Sequence, residues 1–176
     1  MNKIIFGLGL ILLAVSAAVA DVSKDATIQR AVAAGPKWIQ ADATVATLDP
    51  RGNPTVLRRG TNGFTCIPGI PGVIGDDSMC ADQRAMIWIK SLMVHAAKPA
   101  NTQPGIIYML QGGTGYSDTD PYAMKGPKVL RDPPHWMIVW PFDSKTSALP
   151  SHRMTTGTWI MFANTPYAHL MILQHP

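Results

Sequence analysis

Glutamate does not occur anywhere in the 176 residues, and each of the 11 acidic side chains is an aspartate. That absence removes the glutamate pairs of most glycosidases and the His-Glu-x-x-His helix of zinc proteases, so any carboxylate chemistry must use Asp. Cysteine is nearly as scarce. Cys66 and Cys80 are the only two, and they lack the Cys-x-x-Cys spacing of common zinc sites. Basic residues are scattered, Arg58-Arg59 being the only adjacent pair. No phosphate-tracking stripe results, and nucleic acid is not an expected partner. A Gly-x-Ser-x-Gly elbow is missing, and Gly112-Gly113-x-Gly115 lacks both the P-loop lysine and the full dinucleotide fingerprint. Past the first twenty residues, no apolar run approaches the roughly 20 that a membrane helix needs.

Those first twenty residues are of another kind. Met1-Asn2-Lys3 gives a positive start, Ile4 to Val15 an apolar stretch, and Ala18-Val19-Ala20 a small-x-small cleavage site before Asp21. This is the pattern of a secretory signal peptide, residues 1–20. The expected product is one exported domain, residues 21–176, periplasmic or secreted, with no transmembrane segment after cleavage. Losing Lys3 lowers the formal net charge from +4 to +3, too mild to dictate a partner. About 156 residues suit a single core. In an oxidising compartment an even cysteine pair reads as a disulfide. The segment between Cys66 and Cys80 repeats Ile-Pro-Gly at residues 67–69 and 70–72, which no regular helix or central strand accommodates. The expectation is a stapled loop, with Cα atoms at the usual separation of roughly 4.4–6.8 Å.

Hydrophobic periodicity supplies the elements. Residues 25–34 suit a short helix stopped by Gly35-Pro36. Residues 43–48 and 55–58 have strand composition around a turn-rich segment at 49–54. From Ala81 to Ala97, the residues Ala85, Trp88, Ile89, Leu92, Met93 and Ala96 recur at three- and four-residue intervals. They predict the main helix, capped by Asp77 or Ser78 and closed before Pro99. Short apolar runs at 105–110, 135–140, 158–162 and 169–173 read as strands covered on both faces. One helix and about six strands in runs imply an α+β fold, a mostly antiparallel sheet with the helix packed on it. A β-sandwich or barrel with the helix across one end is the alternative.

Three of the five histidines are followed two positions later by methionine: His135/Met137, His152/Met154 and His169/Met171. With 10 methionines in the chain, chance gives about 0.3 such pairs. On a strand, residues i and i+2 share a face. If strands 135–140 and 169–173 pair, His135, Met137, His169 and Met171 converge as a metal site. Imidazole with thioether favours copper, since thioethers select Cu(I). Against this stands methionine as an ordinary filler of irregular cores. His152-Arg153-Met154 lies in a polar turn and is a weaker candidate.

Between Gln111 and Pro134 the periodicity lapses, and loops of this length are often functional. Within it, Ser117, Asp118 and Asp120 offer hydroxyl and carboxylate oxygens to a cation or polar ligand, although Asp and Ser also bond their own backbone in turns.

Gly60-Thr-Asn-Gly-Phe-Thr-Cys66, Met79-Cys80, Tyr108-Met-Leu110 with Gly112-Gly113, Asp120-Pro121, Pro134-His135-x-Met137 and Thr165-Pro-Tyr-Ala-His-Leu-Met171 together resemble a family of small exported bacterial proteins without an assigned activity. The resemblance covers most of the mature chain and implies one intact exported domain; it carries over no catalytic residue. Three functional readings follow. The first is a non-catalytic binding domain holding copper, or a small molecule. The second is a small hydrolase or lyase with His135 or His169 as base, oriented by Asp118 or Asp120. The third is an envelope structural or interaction module whose histidines and methionines are core. Nothing in the composition speaks to oligomeric state.

Overall fold

Residues 23–174 are described by the computed structural model, so the signal peptide expected at 1–20 lies outside the described residues. Helix α1 occupies residues 23–32 and α2 is Lys37–Gln40. Then follow strands β1 (Thr44–Leu48), β2 (Pro54–Arg58), β3 (Phe64–Ile67) and β4 (Met79–Asp82), and helix α3 (Gln83–Met93). The second half holds β5 (Gly105–Met109), β6 (Gly113–Gly115), β7 (Leu130–Asp132), β8 (His135–Val139), α4 (Ser144–Ser147), β9 (Thr158–Met161) and β10 (His169–Leu173).

Eight strands form one open sheet in the order β2-β1-β3-β4-β5-β8-β10-β9. Every pairing is antiparallel except β1 with β3. The fold is α+β as expected, but its sheet is larger than about six strands. The two additions, β3 and β4, carry the cysteines. Each is four residues long, too short to show alternation, and Cys66 sits directly opposite Cys80 in their register. The disulfide is formed across this pair with Cα atoms 3.9 Å apart. That is closer than the expected range, because the partners are immediate cross-strand neighbours rather than ends of separate segments. Edge strand β2 is blunted by Pro54 and its exposed neighbours.

The two cores lie on opposite faces of this sheet. On one, Ile28, Ala31, Val32 and Ile39 of α1 and α2 pack against Val45, Cys66 and Cys80. On the other, Ala85, Trp88 and Ile89 of α3 pack against Ala81, Ile107, Met137 and Val139. Strands β5, β8 and β10 alternate buried and half-buried residues rather than being covered equally on both sides. The α1/α2 layer draws on β1, β3 and β4, which leaves Trp136, Ile138, Leu170 and Ile172 half-buried on its side.

Helix α3 is seated by one carboxylate. Asp82 Oδ1 accepts the Ala85 N–H at 2.8 Å as the helix cap, and its Oδ2 accepts the Ile106 N–H of β5 at 3.1 Å. Asp82 therefore caps the helix in place of Asp77 or Ser78. Gly105 permits the approach: a Cβ there would lie 2.4 Å from the Ala85 nitrogen. The helix stops at Met93, short of the expected Ala97, in a Schellman closure, with His95 N–H on Leu92 C=O and Ala96 N–H on Ser91 C=O. His95 takes the left-handed position usually given to glycine, with φ 53°. Its ring stacks on Tyr122 at 4.2 Å.

The disulfide closes a loop with a sequence separation of 14. Reduction is expected to cost about 3 kcal/mol and to lower the melting midpoint by several degrees. Thermal unfolding followed with and without reductant checks this, and unchanged midpoints would contradict it.

Candidate functional site

The α3 face of the sheet carries the sequence-predicted donors in a fixed grid. Ile107, Met137, Met171 and Trp159 form one cross-strand row from β5 to β9, and Met109, His135 and Leu173 form the next. His169 sits opposite Met161 of β9. His135, Met137, His169 and Met171 thus share one face, but they do not surround one point. Strands β8 and β10 run in opposite directions, so the two His-x-Met pairs meet methionine to methionine. The imidazoles go to opposite ends, about 14 Å apart along the strands at 3.4 Å per residue.

Between this face, α3 and the disulfide loop lies a cavity of about 480 Å³. It is lined by Met79, Met93, Met109, Met137, Met161 and Met171, six of the chain's 10 methionines. Its polar wall consists mainly of His135, His169, Asp76, Asp77 and Asp132; among the described residues no Lys or Arg lines it. Volume and an apolar lining with few polar groups are those of a small-molecule site.

Both histidines are held the same way. Each Nδ1 faces the main-chain carbonyl two residues back, His135 on Pro133 at 2.8 Å and His169 on Tyr167 at 3.0 Å. A carbonyl only accepts, so Nδ1 must carry the proton, and in the neutral ring Nε2 is left as a bare acceptor. His169 is 2% exposed, and its Nε2 has no hydrogen-bond partner among the described residues. Around it stand the rings of Trp88 at 5.4 Å and Phe162 at 5.3 Å. Burial pushes the His169 pKa down to about 4, against the opposing pull of the Tyr167 carbonyl. Burial also lowers that of His135, opposed by the Pro133 carbonyl and then by the carboxylates of Asp132 and Asp77.

The loop oxygens serve elsewhere. Asp118 receives Arg153 Nε at 2.9 Å and Nη2 at 2.5 Å, a bidentate clamp, while Arg153 Nη1 bonds Asp132. Ser117 Oγ accepts the N–H groups of Thr119 and Asp120, and Asp120 Oδ1 accepts that of Tyr122. These are turn contacts. None of Ser117, Asp118 and Asp120 lines the cavity. The ends of the long segment do, because it contains the β6-β7 ribbon and places Gly113, Thr114 and Asp132 in the wall. Asp77 Oδ2 latches the disulfide loop to that ribbon through Thr114 N at 2.6 Å and Thr114 Oγ1 at 2.8 Å. Asp77, Thr114 and Arg153 carried no motif in the sequence. Their partners are 21 to 37 residues away, beyond any local pattern. Among the described residues, no three His, Cys, Asp or Glu side chains stand close enough to hold a metal by themselves, and no helix is long and apolar enough to cross a membrane.

No family model matches this chain, and neither curated proteins nor solved structures give a match. The functional reading therefore rests on the geometry of the cavity.

The buried imidazole generates a pH dependence. Since the folded-state pKa of His169 lies below the ordinary 6.5, the unfolded chain takes up the proton first as pH falls. The stability is intact above about pH 6.5 and is lost progressively down to about pH 4, by about 3 kcal/mol in all. Denaturant midpoints measured across that window should fall with pH, and a His169→Phe variant should show a flatter profile. Parallel profiles would show that His169 is not the titrating group.

Proposed function

We propose that the protein is an exported, non-catalytic binding domain whose ligand is a small, largely apolar molecule held in the cavity between α3, the disulfide loop and the inner face of the sheet. The observation that carries this reading is the methionine-rich wall of the cavity. Methionine is unbranched and polarisable, and it suits a surface that must repack around a guest. The Cys66–Cys80 bond is compatible with export. A wholly structural module also explains neutral, backbone-bonded histidines, but it requires no cavity of this size beside them.

Binding is favoured over hydrolysis or elimination for two reasons. Main-chain carbonyls hold both Nδ1 atoms where a carboxylate would orient a catalytic base, and Asp118 is committed to Arg153. A histidine with its pKa near 4 is also a weak base at neutral pH.

A second reading, Cu(I) binding, is favoured by one feature of the register. Met161 lies directly opposite His169, at a cross-strand Cβ distance of about 4.5–5.5 Å, and Met171 follows two residues on along the same face of β10, so two thioether side chains neighbour the imidazole. Competition for Cu(I) against bicinchoninate tests it: wild type must hold copper more tightly than His169→Phe, and equal competition would eliminate the metal.

For the leading reading, N-phenyl-1-naphthylamine should fluoresce on adding the protein at micromolar concentration. Leu92 lines the cavity, so Leu92→Trp should narrow it and weaken the signal while leaving the melting midpoint within a few degrees. No signal from wild type, or an unchanged signal from the folded variant, would overturn the cavity as a binding site.

A further inference from the structure

Two of the four buried side-chain polar atoms without a hydrogen-bond partner among the described residues belong to residues that line the cavity. His169 Nε2 is a buried acceptor without a partner, and Trp88 Nε1 is a buried donor without one. Their rings are 5.4 Å apart at 76°, and both residues line the cavity. Buried polar groups in folded proteins nearly always find partners, so an orphan on a residue that lines a cavity needs an explanation, and a guest in the cavity supplies one. Building on the cavity as the binding site, we propose that the ligand is an apolar molecule bearing a neutral hydroxyl, which donates its proton to His169 Nε2.

The chemistry of the wall narrows the choice to that group. A carboxylate has no proton to offer a lone pair and finds no Lys or Arg lining the cavity among the described residues. An ammonium group would lie among Trp88, Phe162, Met161 and Met171, where no carboxylate is in contact with His169 and desolvation of the charge goes uncompensated. An aliphatic or aromatic hydrocarbon fits the volume but leaves Nε2 bare. A hydroxyl supplies the one donor that the imidazole acceptor lacks and brings no charge into the apolar wall. Tyr122 and Trp159 also carry unpartnered polar atoms, but neither residue lines the cavity.

The test uses the full mature chain and three probes of one ring size: naphthalene, 2-naphthol and 2-naphthoate, titrated at pH 7 by tryptophan fluorescence. Wild type should bind 2-naphthol about tenfold more tightly than naphthalene, the effect of one neutral hydrogen bond, and 2-naphthoate most weakly. In His169→Phe the naphthol-to-naphthalene ratio should fall to about one with naphthalene still bound. Histidine ¹⁵N NMR of wild type gives a readout that needs no variant: the His169 Nε2 resonance should move on adding 2-naphthol and stay in place with naphthalene. Equal binding of naphthol and naphthalene by wild type, with no Nε2 shift, overturns the hydroxyl anchor while leaving the cavity a binding site. Failure of all three probes to bind removes the cavity reading along with it.

Discussion

A single short helix has to cover one face of a wide sheet, and the arrangement of that face follows from the shortfall. Eight strands at about 4.8 Å spacing extend roughly 34 Å from first to last, whereas the 11 residues of α3 make a rod about 16 Å long and 10 Å across. Trp88 and Ile89 fill the space over Ile107 and Met137, but β1 and β9 lie beyond the helix. Loops complete the cover: the disulfide loop on one side, latched by Asp77 to Thr114, and the segment around Met161 and Phe162 on the other. Loops carry backbone that must stay hydrogen-bonded and cannot interdigitate as closely as helix side chains. The residual volume is the cavity, and methionine is the side chain that tolerates such an irregular border.

Where the histidines meet this space, one backbone contact determines their chemistry. A carbonyl two residues upstream accepts a hydrogen bond from Nδ1 of each ring, so a neutral imidazole with its acceptor on Nε2 is a consequence of strand entry. Pro133-Pro134 precedes His135 and Tyr167-Ala168 precedes His169. In each case the chain arrives at its strand from an irregular segment, whose carbonyl is free of ladder pairing. Arg153 plays the corresponding part at the rim. By gripping Asp118 and Asp132 together, it ties the two long connections of the second half into one wall, and those partners keep its guanidinium charged, Asp118 first.

Much of this was readable from residue order alone, and the failures have identifiable causes. The six expected strands are all present; four were read from apolar runs, which burial of β5, β8 and β10 demands whatever their partners, and two from strand composition around a turn. Strands β3 and β4 escaped because their stability is tertiary: Met79-Cys80-Ala81-Asp82 has little intrinsic strand preference and is paired on both sides. The helix start was misplaced by a few residues because Asp77, Ser78 and Asp82 are all competent caps, and only the contact of Asp82 with Ile106 selects among them. The shared face of the two His-x-Met pairs was legible from period two. Their register was not, since a strand's own sequence says nothing about which partner residue will stand opposite it.

That register decides what kind of site the motif makes. Had β8 and β10 been parallel neighbours, histidine would stand near histidine and methionine near methionine, giving four donors in a compact square. Antiparallel pairing with Met137 against Met171 stretches the same four side chains into a row with thioethers in the middle and an imidazole at each end. The ends then differ in surroundings despite identical backbone bonding. His135 lies within the influence of Asp77 and Asp132, beside the polar ribbon, whereas His169 is enclosed by Trp88 and Phe162 with no carboxylate acting on it. A guest extending along the row meets a charged, latched end and an apolar end with one unsatisfied acceptor. For the proposed occupant the two ends are not equivalent: the carboxylates at the His135 end are already engaged by Thr114 and Arg153, whereas His169 Nε2 has no partner among the described residues.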